Sequence, residues 1–334
     1  MKFLFVGGTG NISTSCSRLA LQLGHELWLL HRPGRPGIAG ARDLPCDIND
    51  EVAAAVALAT HQFDAVVQFI GFEPAQIERD VRLFSGRCRQ YVFLSSASAY
   101  AKPRIFAPTT ERTPLENPHW QYSRNKIACE QVLRRAGLAS FPYTIVRPSH
   151  TYDTVIPLPI GGWTDFTTVE RMRRGQPVIV PGDGTSPWTI THAEDFAQGL
   201  LGLLGNARAL GEDYQITSEE ALTWDELYTQ TAAAAGAAAP KLVHIPSDLL
   251  IAWNPDLEGT LRGDKAHTAV FDNAKLRRAV SDFRPRVAYR DGIRRTLAWF
   301  DADASRRRLP PETDAFIEKV LAAYAKAWPA EKIG

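Results

Sequence analysis

The chain has 334 residues, with 38 Lys+Arg against 37 Asp+Glu and a formal net charge of +1; so even a balance supplies no electrostatic term favouring a polyanion and argues against nucleic acid as the main partner. Hydrophobic residues at 45% and charged residues at 22% are the proportions of a globular chain with a sizeable core, which excludes wholesale disorder. The length suits a main domain of roughly 230 residues plus a smaller appendage.

Cys16, Cys46, Cys88 and Cys129 form no Cys-x-x-Cys pair, so they are expected as reduced core filler, with neither a disulfide frame nor a metal site. The start of the chain has no long apolar h-region, and no stretch reaches about 18 uninterrupted apolar residues. The expectation is a cytoplasmic protein without a membrane segment.

In chain order, apolar strand-like runs over 2–6, 26–31, 65–70, 90–95 and 143–147 alternate with helix-like stretches over 12–23, 50–61, up to about 85, and 122–135. That alternation predicts parallel βαβ units, and the near-continuous apolar runs predict strands buried on both faces. After Arg147 the rhythm breaks into sequence rich in proline and glycine, from Pro157 to Gly184. This reads as a second lobe woven with returning strands. The Ala-rich stretch 231–239 reads as a surface helix.

Gly7-Gly8-Thr9-Gly10-Asn11-Ile12-Ser13 follows the first strand and opens the first helix, the setting in which a glycine turn lets backbone N–H groups approach a pyrophosphate. Read as Gly-x-x-Gly-x-x-Gly, it keeps Gly7 and Gly10 and has Ser13 third, still small enough for close packing of helix on strand. Gly7, Thr9, Gly10, Asn11 and Ile12 are the first cofactor-binding candidates. The expected fold is α/β: a Rossmann-type doubly wound parallel sheet with a smaller C-terminal α/β substrate lobe. Residues 1–150 are read as the NAD(P)-binding core. Residues 151–334 are read as the lobe, interleaved with returning Rossmann elements at about 175–230.

A carboxylate at the end of the second strand holds the ribose 2′-hydroxyl of NAD, whereas a basic residue suits the extra phosphate of NADP. Leu30-His31-Arg32-Pro33-Gly34-Arg35 has no acid. Arg32 and Arg35, beside His31, offer guanidinium groups to a 2′-phosphate and favour NADP over NAD, unless they are solvated loop arginines. Asp47-Ile48, after the third strand, supplies an acceptor for the adenine amino group and an aliphatic cover for its ring.

Tyr122-Ser123-Arg124-Asn125-Lys126 is a Tyr-x-x-x-Lys, and helical spacing puts its Tyr and Lys on one face. The apolar strand before it runs into Ser95-Ser96-Ala97-Ser98-Ala99-Tyr100, where an α/β sheet presents its ligands.

The glycine turn, the serine run, Tyr-x-x-x-Lys and Val146-Arg147-Pro148 together resemble the extended short-chain dehydrogenase/reductases, the NAD-dependent epimerase/dehydratase family, over most of the chain. The resemblance implies an enzyme moving a hydride between a nicotinamide cofactor and a hydroxyl or keto carbon. Tyr122 would be its acid/base, Lys126 would lower the tyrosine pKa and bind the nicotinamide ribose, and Ser96 would hydrogen-bond the reacting oxygen. It also puts Gly71, Phe72, Ser95, Pro148 and Ser149 around the cofactor, and Ser98, His150, Trp188 and Arg262 toward the substrate.

Within that family, dehydratases carry an Asp-Glu pair directly after the catalytic Ser/Thr, where this chain has Ala97 and Ser98, so elimination of water lacks its catalysts. Redox chemistry or epimerisation on a small polar, sugar-type molecule remains. Nucleotide-sugar epimerases often place an arginine where this chain has Pro187-Trp188-Thr189, although Arg262-Gly263-Asp264 matches the other usual phosphate-binding arginine. His150 stands where asparagine is usual and is either a ligand contact or a loop histidine. A homodimer through the Tyr122 helix is implied by analogy alone. Two non-enzymatic readings compete. One is a redox-sensing regulator. The other is an RNA-binding protein, since chloroplast stem-loop RNA-binding relatives share the serine run; the balanced charge and complete Ser96-Tyr122-Lys126 set argue against it.

Overall fold

The computed structural model describes residues 1–103 and 107–327. Its first half follows the expected alternation: β1 (Lys2–Val6), α1 (Ser13–Gln22), β2 (Glu26–His31), β3 (Arg42–Pro45), α2 (Glu51–Leu58), β4 (Ala65–Gln68), α3 (Pro74–Phe84), β5 (Tyr91–Leu94), α4 (Gln121–Ala136) and β6 (Tyr143–Pro148). Local chemistry sets several ends. Asp50 caps α2 by accepting from Ala53 N, while α3 opens with Pro74 behind a reciprocal Glu73/Gln76 box, both satisfying amides that have no partner within the helix. β4 is shorter than the apolar run 65–70: Phe69 N still donates to Val6 O at 3.1 Å, but the next amide, Ile70 N, goes to Gln68 Oε1 at 2.9 Å.

The main sheet has seven strands in the order Asp213–Ile216, β6, β5, β4, β1, β2, β3. Its neighbouring pairs are parallel, with β1 paired to β2 through Phe3↔Leu27 and to β4 through Phe3↔Ala65. β1, β4 and β5 are buried almost throughout. Alternate residues feed two cores, one containing Phe5, Val67 and Val146, the other Leu4, Val66 and Ile145.

The chain forms two compact units. The first comprises residues 1–151, 191–219 and 271–287; the second comprises 152–190, 220–270 and 288 onward. Of the stretch 175–230 expected to interleave with the core, 191–219 lies in the first unit, with Tyr214 opposite Val146 in the main sheet. Segment 271–287 also returns to the first unit, where Leu276 and Phe283 join the core beside Phe196 and Leu200. No local periodicity announces such a return, because its apolar residues are few and are buried only by distant partners.

The second unit has its own core around Ile179, Ile245, Leu250, Leu261 and Ile317, built on the parallel strands Val178–Pro181 and Leu242–Ile245. Its helix Trp224–Ala234 starts at a Thr223/Glu226 capping box. It ends at Ala234, inside the Ala-rich stretch 231–239, because Gly236 takes φ +71°, a conformation that ends helices. Among the described residues, no helix is long and apolar enough to cross a membrane.

Candidate functional site

β1 lies between β2 and β4, where the strand order reverses, and in open α/β sheets the crevice beyond the strand ends at this point takes the ligand. The glycine turn stands there. Gly7 has φ +84°, and a Cβ on it would sit 2.6 Å from Ile70 Cγ2, so a side chain would be both strained and obstructed. Ser13 Oγ donates to Gly7 O at 2.7 Å and accepts from Gly10 N at 2.8 Å, and Ser17 Oγ donates to Gly8 O at 2.8 Å. The serine standing third in the glycine pattern therefore braces the turn.

Gly10 is exposed, with Thr9, Asn11 and Ile12 partly buried around it, and the first turn of α1 carries no acidic side chain. An open, positively polarised helix N-terminus of this kind fits a phosphate group. Asn11 Nδ2 donates to Thr151 O at 2.9 Å and fastens the turn to the segment after β6. There Pro148 ends the strand, and Ser149 Oγ lies 2.9 Å from Thr191 Oγ1.

At the end of β2, His31 is 8% exposed, with Nδ1 3.0 Å from Arg32 O and Nε2 3.0 Å from Asp43 Oδ1. Arg32 and Arg35 are exposed. Asp43, on β3, thus brings to the end of β2 a carboxylate that is hidden in the linear order. Asp47 Oδ1 accepts from both the backbone and the side chain of Asn49, while Ile48 is buried in the core with Leu30 and Val66.

Lys126 is the most constrained charge in the crevice. It is 2% exposed, and its Nζ donates to Gly71 O at the end of β4 and Leu94 O at the end of β5, both at 2.7 Å. It also lies 4.8, 4.9 and 5.6 Å from the ring centroids of Phe72, Phe93 and Tyr122, where ring quadrupoles attract a cation. Tyr122, one turn earlier on α4, packs its partly buried ring against Trp120 and Phe72 with centroids 4.9 and 6.4 Å away. Gly71 is needed for packing as well, since a Cβ there would come within 2.8 Å of Ile77 Cδ1. Ile70 and Phe72 remain 41% and 44% exposed, an apolar ledge between the glycine turn and Lys126.

Burial pushes the Lys126 ammonium down to about 7 from an ordinary value of 10.5. Because the folded value lies below the unfolded one, the unfolded chain binds more protons between those limits, and stability rises with pH across that window. Relative to Lys126→Met, the wild type is expected to gain stability from pH 7 toward pH 10.5 at up to ~1.4 kcal/mol per pH unit. Urea unfolding of both proteins at several pH values checks this. A stability difference that stays constant with pH would mean the ammonium is not desolvated.

Ser96 follows β5. Its Oγ lies 2.8 Å from Ser98 Oγ and accepts from Ser98 N at 3.1 Å. Ser95 turns inward, donating to Glu130 Oε1 at 2.6 Å. The expected substrate contacts fall in different places. Ser98 is 4% exposed, behind Ser96, and His150 is partly buried on the short strand His150–Tyr152. Trp188, in the second unit, is 2% exposed with its ring centroid 5.1 Å from that of Trp224, a packing position. Arg262 is held by Asp248 at 2.7 Å and Glu258 at 2.9 Å. The linear reading missed Ile70, Asp43, Ser123 and Glu130. Of these, only Glu130 carried a local signal, lying four residues beyond Lys126 on the same helix face.

A family described as the NAD dependent epimerase/dehydratase family matches residues 3–217. Chloroplast stem-loop binding protein of 41 kDa b from Arabidopsis thaliana is 28% identical over 258 residues, covering 73% of this chain and 65% of that relative. The chain thus spans a little under two thirds of that relative's length. The 2'-dehydrokanamycin reductase of Streptomyces kanamyceticus is 27% identical over 239 residues, covering 71% of this chain and 67% of the reductase. The structure of UDP-glucose 4-epimerase from Bifidobacterium longum, in complex with NAD+ and UDP, matches with a TM-score of 0.72 at 19% identity, covering 92% of this chain and all of that one; at this identity the likeness is one of fold. With the family match extending over well more than half its length and the site built at the sheet's reversal point, the chain belongs to the NAD-dependent epimerase/dehydratase family.

Proposed function

We propose that this protein is a nicotinamide-dependent oxidoreductase or epimerase acting at a hydroxyl or keto carbon of a small, polar, sugar-type molecule. The observation that carries the proposal is the buried Lys126 ammonium, anchored on the ends of β4 and β5 and 5.6 Å from the Tyr122 ring. An ordinary phenol ionises near ~10, too high for proton exchange near neutrality; the Lys126 cation, which burial alone would let go at about 7, favours the phenolate, and the phenolate in turn favours keeping that proton on Lys126. Tyr122 takes the proton from a hydroxyl being oxidised or returns it to a ketone oxygen, while Ser96 donates to that same oxygen.

The glycine turn and the α1 N-terminus fit the pyrophosphate, and Ile70 and Phe72 offer the apolar ledge for a nicotinamide, which when bound supplies or accepts the hydride. Exposed Arg32 and Arg35 favour NADP. Asp43, hydrogen-bonded to His31, favours the second reading, NAD held through a complete epimerase cycle. The name of the Streptomyces relative supports a sugar-type ketone as substrate, and His150 is the substrate contact proposed. Ala97 and Ser98, where a dehydratase would carry its acid pair, speak against elimination of water.

Mass spectrometry of nucleotide released from the undialysed protein on denaturation tests the reading. NADP is expected. Near-stoichiometric NAD would transfer the decision from Arg32 to Asp43 and favour an epimerase. If nothing is released and neither added NADPH nor added NADH binds, the enzymatic reading fails, and the binding role named for the Arabidopsis relative takes its place.

A further inference from the structure

We infer that Ser98 and Ser123 are positioning residues that lock the Ser96 hydroxyl into donating its proton outward, to the reacting oxygen. The inference rests on the hydride-transfer reading above and specifies how that site is set. Ser123 adjoins Tyr122 on α4 and is fully buried; its Oγ donates to Ser98 Oγ at 2.7 Å. Ser98 Oγ lies 2.8 Å from Ser96 Oγ, and Ser98 N donates to Ser96 Oγ at 3.1 Å. Asn117, 2% exposed, fixes the turn by donating from Nδ2 to Ser98 O at 2.8 Å.

A hydroxyl has one proton to give and two lone pairs with which to accept. Ser123 spends its proton on Ser98; the proton of Ser98, buried from solvent, then has Ser96 Oγ at 2.8 Å as its acceptor, whereas a Ser96 donating into the second lone pair of Ser98 would strand that buried proton. With the Ser98 amide as the other donor, both acceptor positions on Ser96 are filled, and its own proton is left for the open side of a partly buried side chain. A Ser96 that instead donated back to Ser98 would offer a lone pair to the substrate and compete with Tyr122 for the same proton. The chain of three hydroxyls therefore removes the wrong orientation before substrate arrives, which is how preorganised donors lower a barrier. It also ties the β5 turn to the helix that carries Tyr122 and Lys126.

The test follows NADPH oxidation with diacetyl, a small reactive diketone, by the full-length wild type, Ser98→Ala, Ser123→Ala, the double variant and Ser123→Thr. Melting temperature and NADPH affinity serve as controls for folding. Ser98→Ala is expected to lower kcat about tenfold, less than the ~100-fold that loss of a direct donor costs. The plateau of the pH profile should fall without moving along the pH axis. Ser123→Ala should cost less, the double variant should equal Ser98→Ala because the two act in series, and Ser123→Thr should stay near wild type by keeping the hydroxyl. Unchanged rates in both single variants, or effects that multiply in the double variant, would overturn the relay while leaving the hydride-transfer reading intact. Oxidation of neither NADPH nor NADH by the wild type itself would remove that reading and the relay with it. Should Ser98→Ala fail to fold, the Ser123→Ala and Ser123→Thr pair decides alone.

Discussion

Tyr122→Phe is expected to cut turnover by about 1,000-fold while changing cofactor affinity less than about twofold, within the range typical for loss of a general acid/base. The ring packs on Trp120 and Phe72, and phenylalanine preserves those contacts while removing only the hydroxyl. Steady-state rates with an identified substrate, alongside quenching of protein fluorescence by NADPH, separate the two quantities. Undiminished turnover would sink the acid–base role, and loss of cofactor affinity in step with turnover would show that Tyr122 acts through binding. Lys126→Met should differ, because Lys126 touches the carbonyls of Gly71 and Leu94 and its loss should disturb both the rate and the shape of the pH profile.

The largest effect on stability is expected at Arg147. Its guanidinium, 1% exposed, donates from Nε and Nη2 to the two oxygens of Glu130 at 2.8 and 2.7 Å, with Asp213 at 2.7 Å and Tyr100 Oη at 3.2 Å. Glu130, also 1% exposed, accepts in addition from Ser95. Removing one partner of a buried pair leaves a charge without compensation in a medium that solvates it poorly, a cost of roughly 3–5 kcal/mol. Arg147→Met should lower stability by that amount in urea unfolding. Adding Glu130→Leu should restore much of the loss, since burying neither charge is less costly than burying one. A single-variant cost below about 1 kcal/mol would mean that water reaches the pair.

The network also explains why Ser95 and Ser96, adjacent in sequence, do different work. Successive residues leaving a strand point to opposite faces, so Ser95 turns to Glu130 beneath the sheet edge while Ser96 faces the crevice. A motif of small hydroxyl residues is legible as a strand end. Which hydroxyl faces which side depends on the register of β5 against β6, where Leu94 pairs with Val146.

The sequence by itself determined the order of strands and helices through β6 apart from β3, whose mostly exposed residues form no apolar run, together with the glycine turn and the pairing of Tyr122 with Lys126 one turn apart. Each of these is encoded within about ten residues: a hydrophobic period, a backbone position closed to side chains, or a helical spacing. Tertiary structure alone decided that 271–287 returns to the first unit and that the earlier return is confined to 191–219, that Trp188 is buried on Trp224, and that Asp43 reaches His31. It also placed Ser123 behind Ser98 and engaged Arg262 with two carboxylates. These outcomes join residues far apart in the chain. Long-range burial and charge pairing select among many locally equivalent arrangements, and their signature exists only in three dimensions.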